Sequence, residues 1–438
     1  MTSRHSAAGL AIAVILAAGP AAAIDAPAVK AAADKVLDAQ YPHLDALYKD
    51  IHSHPELGFQ EVRTAAKLAA EMRALGFTVT EHVNKTGLAA IYKNGEGPLV
   101  LVRTELDALP LEEKTGLPYA SRAMQTWNGV QTFVDHACGH DIHMAAWVGA
   151  ATALLSMKER WHGTLMFIAQ PAEEAAGGAK GMLQDGLFTR FGKPDYGFAL
   201  HDNPESAGLI TYLPGPVSSN SNEMEITFKG RGGHGSMPNA TIDPILIASR
   251  FVVDVQSVVS REKVPAAFGV VTVGAFQAGS AGNIIPDHAL LRGTIRSYDA
   301  DVRAKLLEGV ARVARAEAAM AGAPEPDISL IAYGDAVVND AALTDRTARV
   351  FKAAFGDQAR PMDGPMTASE DFSEFIKAGV PSVFFFVGAT DPKLVAAAKA
   401  GGPPVPVNHS PLFAPVPETT IRAAVEAMTV AVMNVMAK

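Results

Sequence analysis

Two short apolar runs, Pro98–Arg103 and Gly163–Ala169, constrain the fold of this chain more than any other feature. Each reads as a buried strand, and each runs directly into carboxylates: Glu105 and Asp107 after the first, Glu173 and Glu174 after the second. In an open α/β sheet the carboxyl ends of the strands are where ligands bind. A further strand, Tyr196 to Leu200, delivers His201 to the same edge. Carboxylates two residues apart on one strand point the same way, so Glu105 and Asp107 are both able to face a site, with Asp107 the better candidate. Solvated acids in a strand-end turn are the alternative. Adjacent glutamates at a strand end suit two jobs, one ligating a cation and the next moving a proton. They also suit a helix first turn, where the dipole favours acids.

Between these strands, residues 136–143 read HACGHDIH and place one thiol and three imidazoles within eight positions, including the only cysteine of the chain. A soft thiolate beside imidazoles is what a zinc-like cation selects. A buried thiol flanked by surface histidines is the competing reading. Glu173, Glu174, His201 and His409, each in its own loop-like context, weigh towards the metal. The cluster precedes a predicted helix over Met144–Met157, and a helix N-terminus lowers a thiol's pKa.

At 438 residues the chain exceeds the size at which one core usually keeps growing, so two domains are expected. A net charge of −9 without Lys/Arg blocks argues against a nucleic-acid partner. Arg4 and His5, the apolar run Gly9–Ala18 and the small residues Ala21 to Ala23 have the form of a secretory signal over 1–23, cleaved after Ala23. That run is too short for a stable membrane anchor. A bacterial-looking exported protein, periplasmic or secreted, follows. With a single cysteine it has no intrachain disulfide, so the thiol is metal-bound, buried or reactive.

Helices are predicted over Val29–Leu47 and Glu61–Leu75. Between them, His52 and His54 stand at alternate positions, but the following Pro55 and Gly58 favour an ordinary helix-to-loop exit over metal ligation. From about Ser221 the pattern becomes βαββαβ: Glu223–Gly230, Ile242–Ser260, Gly269–Gln277, His288–Tyr298, Ala300–Met320 and Asp327–Tyr333. That order is the ferredoxin-like split unit. It divides the chain into 24–215, an insertion over 216–333, and a return over 334–438. The insertion carries His234 in a glycine-rich loop, Asn283 and Arg296, each of which also fits a turn or surface strand. The return brings helix Thr344–Phe355, strand Ser382–Val387, His409 after a polyproline-like Pro403–Pro406, and a closing helix Thr419–Met436.

The segments HSHPELGFQE, RTELDALP, DHACGHDIH, QPAEEAAGGAKGM, LHDNP, GRGGHGSMPNATIDP, GNIIPD, GTIRSYD, MTASEDF and NHSP, in this order over nearly the whole mature chain, resemble the dinuclear metallo-aminoacylase and carboxypeptidase superfamily. The branch they resemble contains hippurate hydrolases and plant indole-3-acetyl-amino-acid amidohydrolases. The resemblance implies an α/β fold, with a metallopeptidase-type catalytic domain whose central mixed sheet is flanked by helices, plus an inserted ferredoxin-like α+β lid or dimerisation domain. It implies two divalent ions per subunit, Zn2+ or Mn2+ with Ni2+ and Co2+ open. Cys138 would bridge them, with His140, Glu174, His201 and His409 as further ligands. Glu173 would be the general base, and Asp107 would orient a ligand. His234 would stabilise the oxyanion, often in the dimer partner's site. Asn283 and Arg296 would hold the substrate's carboxylate or its reacting carbonyl. The implied reaction is hydrolysis of an N-acyl amino acid, with carboxypeptidase or dipeptidase action on short peptides as the alternative, in a homodimer. A non-catalytic exported solute-binding protein is the reading of another class, and the paired Glu173 and Glu174 count against it. Two departures stand out: Glu105 where the branch usually has Asp, and Thr367-Ala368-Ser369 where glycine is commoner.

Overall fold

The computed structural model describes residues 24–175 and 177–438, so the predicted signal segment 1–23 lies outside the described residues. The first helix, α1 (Ala26–His52), begins where the Asp25 carboxylate accepts the Ala28 N–H, with a proline in the first turn, where the missing amide loses no partner. Then come α2 (Val62–Ala74), β1 (Thr78–Val83), β2 (Gly87–Asn94), β3 (Leu99–Glu105), α3 (His140–Ser156), β4 (Gly163–Gln170), α4 (Gly178–Gln184), β5 (Tyr196–Ser206) and β6 (Ile210–Tyr212). The inserted stretch holds β7 (Ser221–Lys229), α5 (Pro244–Asp254), β8 (Gly269–Ala278), β9 (His288–Ser297), α6 (Ala300–Met320) and β10 (Asp327–Gly334). The chain returns through α7 (Ala341–Phe355), β11 (Ala359–Pro361), β12 (Ser382–Thr390) and α8 (Pro417–Met436).

The main sheet has eight strands in the order β1-β2-β4-β3-β5-β12-β6-β11. Its centre, β4, β3, β5 and β12, is parallel throughout, while β2 joins β4 and β6 joins β12 antiparallel. The sheet is therefore mixed. Strands buried on both faces need helices on both faces. One face packs against α1, α2, α3, α7 and α8, and the other against α4 and the Phe372–Phe375 segment. Helix α3 is buried from His140 through Ala151, because it is sandwiched between the sheet and the helices α1 and α8. That packing anchors its N-terminus beneath the carboxyl ends of the parallel strands.

The inserted stretch forms its own antiparallel sheet, β8-β9-β7-β10, with a separate core in which Met224, Ile226 and Phe228 pack against Phe251 of α5 and Leu306 of α6. This is the ferredoxin-like strand order. The predicted helix 242–260 stops at Asp254 and continues as a separate turn over Val258–Glu262. The sequence pattern did not signal β1's partner β2, the short β6 and β11, or the half-exposed hairpin Met124–Trp127 with Val130–Phe133.

Candidate active site

The first turn of α3 sets the geometry. Gly139 caps the helix at φ +88°, and a Cβ there would lie 2.1 Å from Asp202 Oδ2, so only glycine fits. Cys138 and His140 flank this turn. The Cys138 Sγ lies 3.3 Å from His201 Nε2 and 3.3 Å from His409 Nε2, and Glu174 Oε1 lies 3.1 Å from His409 Nε2. Two donor triads result, Cys138–His140–His201 and Cys138–Glu174–His409, each with its ligand atoms within 4.8 Å of one another. Cys138 is common to both.

The donors are pre-aimed. His140 Nδ1 donates to the Asp107 carbonyl at 2.7 Å and His201 Nδ1 to the Asp202 carbonyl at 2.6 Å, which leaves each Nε2 with its lone pair. Among the described residues, His140 Nε2 and Glu174 Oε1 are buried without a hydrogen-bond partner. Orphaned buried acceptors beside a sulfur call for a positive centre, and one thiolate shared by two sets of N and O donors fits a pair of borderline divalent cations. His409 sits at φ +69° and is held there by its N–H to the Ala137 carbonyl at 2.8 Å. Its neighbour Asn408 donates to the Cys138 carbonyl at 3.0 Å and to Asp202 Oδ1 at 2.9 Å. The His409 loop is thus tied to the Cys138 loop.

Burial, followed by the Glu174, Glu173 and Asp202 carboxylates, pushes the Cys138 thiol well up. Burial opposes ionisation of Glu174 too, but its contacts with His409 and His140 outweigh it and hold the carboxyl below its ordinary value. For Glu173 only Arg103 acts in that direction, and it does not suffice. Burial and the Glu370 and Glu174 charges push it well above the usual carboxylate range, which makes it a strong proton acceptor once ionised.

The structure brings Cys138, His140, Glu174, His201 and His409 together, with Glu173 lining the same cavity of about 780 Å3. Asp107 stands behind them: its Oδ2 accepts the Glu174 N–H at 2.9 Å while its carbonyl holds His140. Glu105 and Asp107 do not both face the cavity, a correction to the alternation argument. Glu105 turns to the buried Arg103 and to His143 Nδ1 at 3.1 Å. The strand ends at Glu105, so alternation no longer governs Asp107. The picture of surface histidines around a buried thiol is also corrected, since His136, His140 and His143 are all buried. His52 ends α1, as the helix-exit reading expects. Arg296, from β9, reaches the cavity and forms no ion pair among the described residues. Burial lowers its pKa. His234 and Asn283 are exposed and do not line the cavity; His234 Nδ1 accepts from the Ser236 hydroxyl at 2.8 Å. Ala368 and Ser369, from the Thr-Ala-Ser stretch before Glu370, line the cavity.

Sequence reasoning missed four groups. His143 belonged to the cluster but had no role assigned; its Nε2 accepts the Asp202 N–H at 2.8 Å and its Nδ1 faces Glu105, so both nitrogens are used and it orients rather than ligates. Asp202 is held down to about 2 because contacts with His143 and His201 overcome burial. Glu61, which burial and Asp107 raise to about 7, accepts the Ala172 N–H at 2.8 Å and so props the segment before Glu173. Arg103 pairs with Glu370 at 2.7 Å across the sheet. Apart from Asp202, which adjoins His201, these groups act across 38 to 267 positions, and no local pattern marks the pairings.

Residues 101–400 match peptidase family M20/M25/M40. Hippurate hydrolase of Campylobacter jejuni is 37% identical over 344 residues, 78% of this chain and 86% of the relative. N-acetylcysteine deacetylase of Bacillus subtilis is 34% identical over 348 residues, with 78% and 86% covered. A solved structure from Bacillus subtilis, described as a dinuclear metal binding peptidase, superposes with a TM-score of 0.74 at 30% identity over 91% of this chain and 99% of its own.

Proposed function

From the premise that this chain belongs to peptidase family M20/M25/M40, we propose that it is a metal-dependent amidohydrolase cleaving N-acyl amino acids to a carboxylic acid and an amino acid. One observation carries the reading: a single cysteine shared by two donor triads, with a destabilised carboxylate, Glu173, beside them and Arg296, without an ion pair among the described residues, lining the same cavity. Cys138, His140, Glu174, His201 and His409 would hold two divalent cations, which would supply Lewis acidity to the amide carbonyl and to water. Glu173 takes a proton from the attacking water as the new C–O bond forms. It returns that proton to the nitrogen as the C–N bond breaks. Asp107 keeps Glu174 and His140 in register throughout. Arg296 holds the free carboxylate of the amino-acid part through its planar fork.

Thiolate ligation favours zinc, with manganese, nickel and cobalt as competitors. In a homodimer, His234 and Asn283 would serve the partner subunit's cavity, consistent with their distance from the cavity of their own chain. The signal-like 1–23 makes the protein exported, to the periplasm or the medium. The rival is carboxypeptidase or dipeptidase action, which needs the same chemistry and differs only in what fills the cavity.

The test is amine release from hippurate, other N-acyl amino acids and dipeptides at equal concentration, with elemental analysis of the protein and of Cys138→Ser. Near two ions per chain, lost with activity in Cys138→Ser, and faster turnover of acyl amino acids support the proposal. Turnover that survives exhaustive chelation refutes it, and a preference for dipeptides transfers the assignment to the rival.

A further inference from the structure

A second buried polar cluster lies apart from the Cys138 triads. It joins His52, the last residue of α1, to Glu113 in the loop after β3 and to Asp135 just before the Cys138 loop. These residues are 1%, 4% and 1% exposed, and one donor atom from each lies within 4.8 Å of the others. The rings of Tyr48 and Tyr119, 5.7 and 5.3 Å from that of His52, cover it.

His52 and Glu113 are held in place, while the Asp135 carboxylate is not, and the charges of the cluster do not balance. Glu113 is fixed by the Thr115 hydroxyl and the Ser121 N–H. His52 Nδ1 meets Asp141 Oδ2 at 2.6 Å. A histidine that donates one nitrogen to a carboxylate presents the other as a lone pair, which is how metal-ligating histidines are oriented. Here that other nitrogen, Nε2, faces Glu113 Oε2 at 3.2 Å without hydrogen-bond geometry. Asp135 Oδ2 is buried and has no partner among the described residues. Three carboxylates, of Glu113, Asp135 and Asp141, thus surround one imidazole. With the imidazole charged and all three carboxylates ionised, negative charge would be left over in a place closed to water, where uncompensated ions are costly, and burial with Glu113 accordingly pushes Asp135 up to about 7. A cation between His52 Nε2, Glu113 and Asp135 balances that charge and gives the orphaned atoms a partner.

We propose that His52, Glu113 and Asp135 bind a structural divalent cation, additional to the pair at Cys138, which fastens the end of α1 to the loop carrying Glu113 and to the segment entering the Cys138 turn. A His, Glu and Asp set suits zinc or manganese. The proposal does not depend on the reaction assigned to the cavity.

The experiment loads the purified mature protein with ZnCl2 or, separately, MnCl2, removes excess ion, and counts bound metal per chain by elemental analysis in wild type, Asp135→Asn and Cys138→Ser. The expected result is three ions in wild type and two in Asp135→Asn, the variant keeping amide hydrolysis and melting at lower temperature. Equal ion counts in wild type and Asp135→Asn overturn the proposal. One ion per chain that survives Cys138→Ser but not Asp135→Asn supports this site while refuting the dinuclear centre. Should Asp135→Asn not fold, crystals of the loaded wild type decide: an anomalous peak between His52 Nε2 and the Asp135 carboxylate supports the ion, and density there without anomalous signal overturns it.

Discussion

Glu105 is where a small change should have the largest calculable effect. Its carboxylate is buried between Arg103 and His143 Nδ1, and Arg103 is itself buried among Glu370, Asp371 and the Gln170 side chain. Glu105→Gln keeps the volume and an acceptor for His143, but replaces a charge-assisted contact with a neutral one. Charged hydrogen bonds contribute ~1.5–3 kcal/mol against ~0.5–1.5 for neutral ones, so the loss is about 1–2 kcal/mol. Glu105→Leu removes both contacts and strands donors of Arg103 and His143. Breaking one side of a buried pair costs about 3–5 kcal/mol. Glu105→Asp, one methylene shorter, reaches one partner and falls between. At roughly 1–2 °C per kcal/mol for a chain of this size, the Leu variant melts roughly 3–10 °C below wild type. Thermal unfolding followed by circular dichroism, on chelated protein so that ligation does not interfere, gives the ranking. The pH dependence follows from the sign of the shift. Burial alone would raise the Glu105 carboxyl, but Arg103 and His143 hold it far below its ordinary value. Its contribution is therefore present above the unfolded pKa of about 4.3 and is lost as pH falls towards the depressed folded value. The gap between wild type and Glu105→Gln is full at pH 7 and narrows only below about pH 4. A Leu variant as stable as wild type at pH 7 would refute the reasoning.

Other outcomes follow from the same geometry. Glu173→Gln should lower kcat by roughly 10²–10⁴ with unchanged metal content, measured by amine release and elemental analysis; a near wild-type rate removes Glu173 as the base. Because burial and neighbouring carboxylates keep the Cys138 thiol protonated, loading the chelated protein near neutral pH should release a proton that Cys138→Ser does not, and apparent affinity should rise with pH. Calorimetry in two buffers of different ionisation enthalpy reads this. Arg296→Ala should raise KM for N-acyl amino acids by roughly tenfold or more, the worth of a charged hydrogen bond, and leave N-acyl amines without a carboxylate unaffected. Equal effects on both substrates would exclude a carboxylate contact.

Some parts of this molecule are legible one residue at a time. The apolar strands ending on acids read directly because a strand buried on both faces must be apolar along its length, and its end is where polar groups can return. The βαββαβ order of the insertion reads for a different reason, that its strands alternate with one face buried and its helices carry one apolar face, and the predicted and observed limits of α6 coincide. Other parts do not. Weak, half-exposed pairs such as the Met124–Trp127 hairpin have no apolar pattern to detect. His143 shows the limit within a motif: it stands three residues after His140 on the same helix, yet one is a free donor and the other is fully occupied.

Sequence by itself determined the chemistry available: one thiol, clustered imidazoles, and glutamates at strand ends, because residue type and local periodicity are properties of short stretches. Tertiary structure alone decided which of these atoms share a point in space. Cys138 meets His409 across 271 positions, and Arg103 meets Glu370 across 267. Whether a nitrogen is a ligand or an orienting donor depends on which partner the fold sets against its other side, and for His140 and His143 that partner comes from a distant strand or loop.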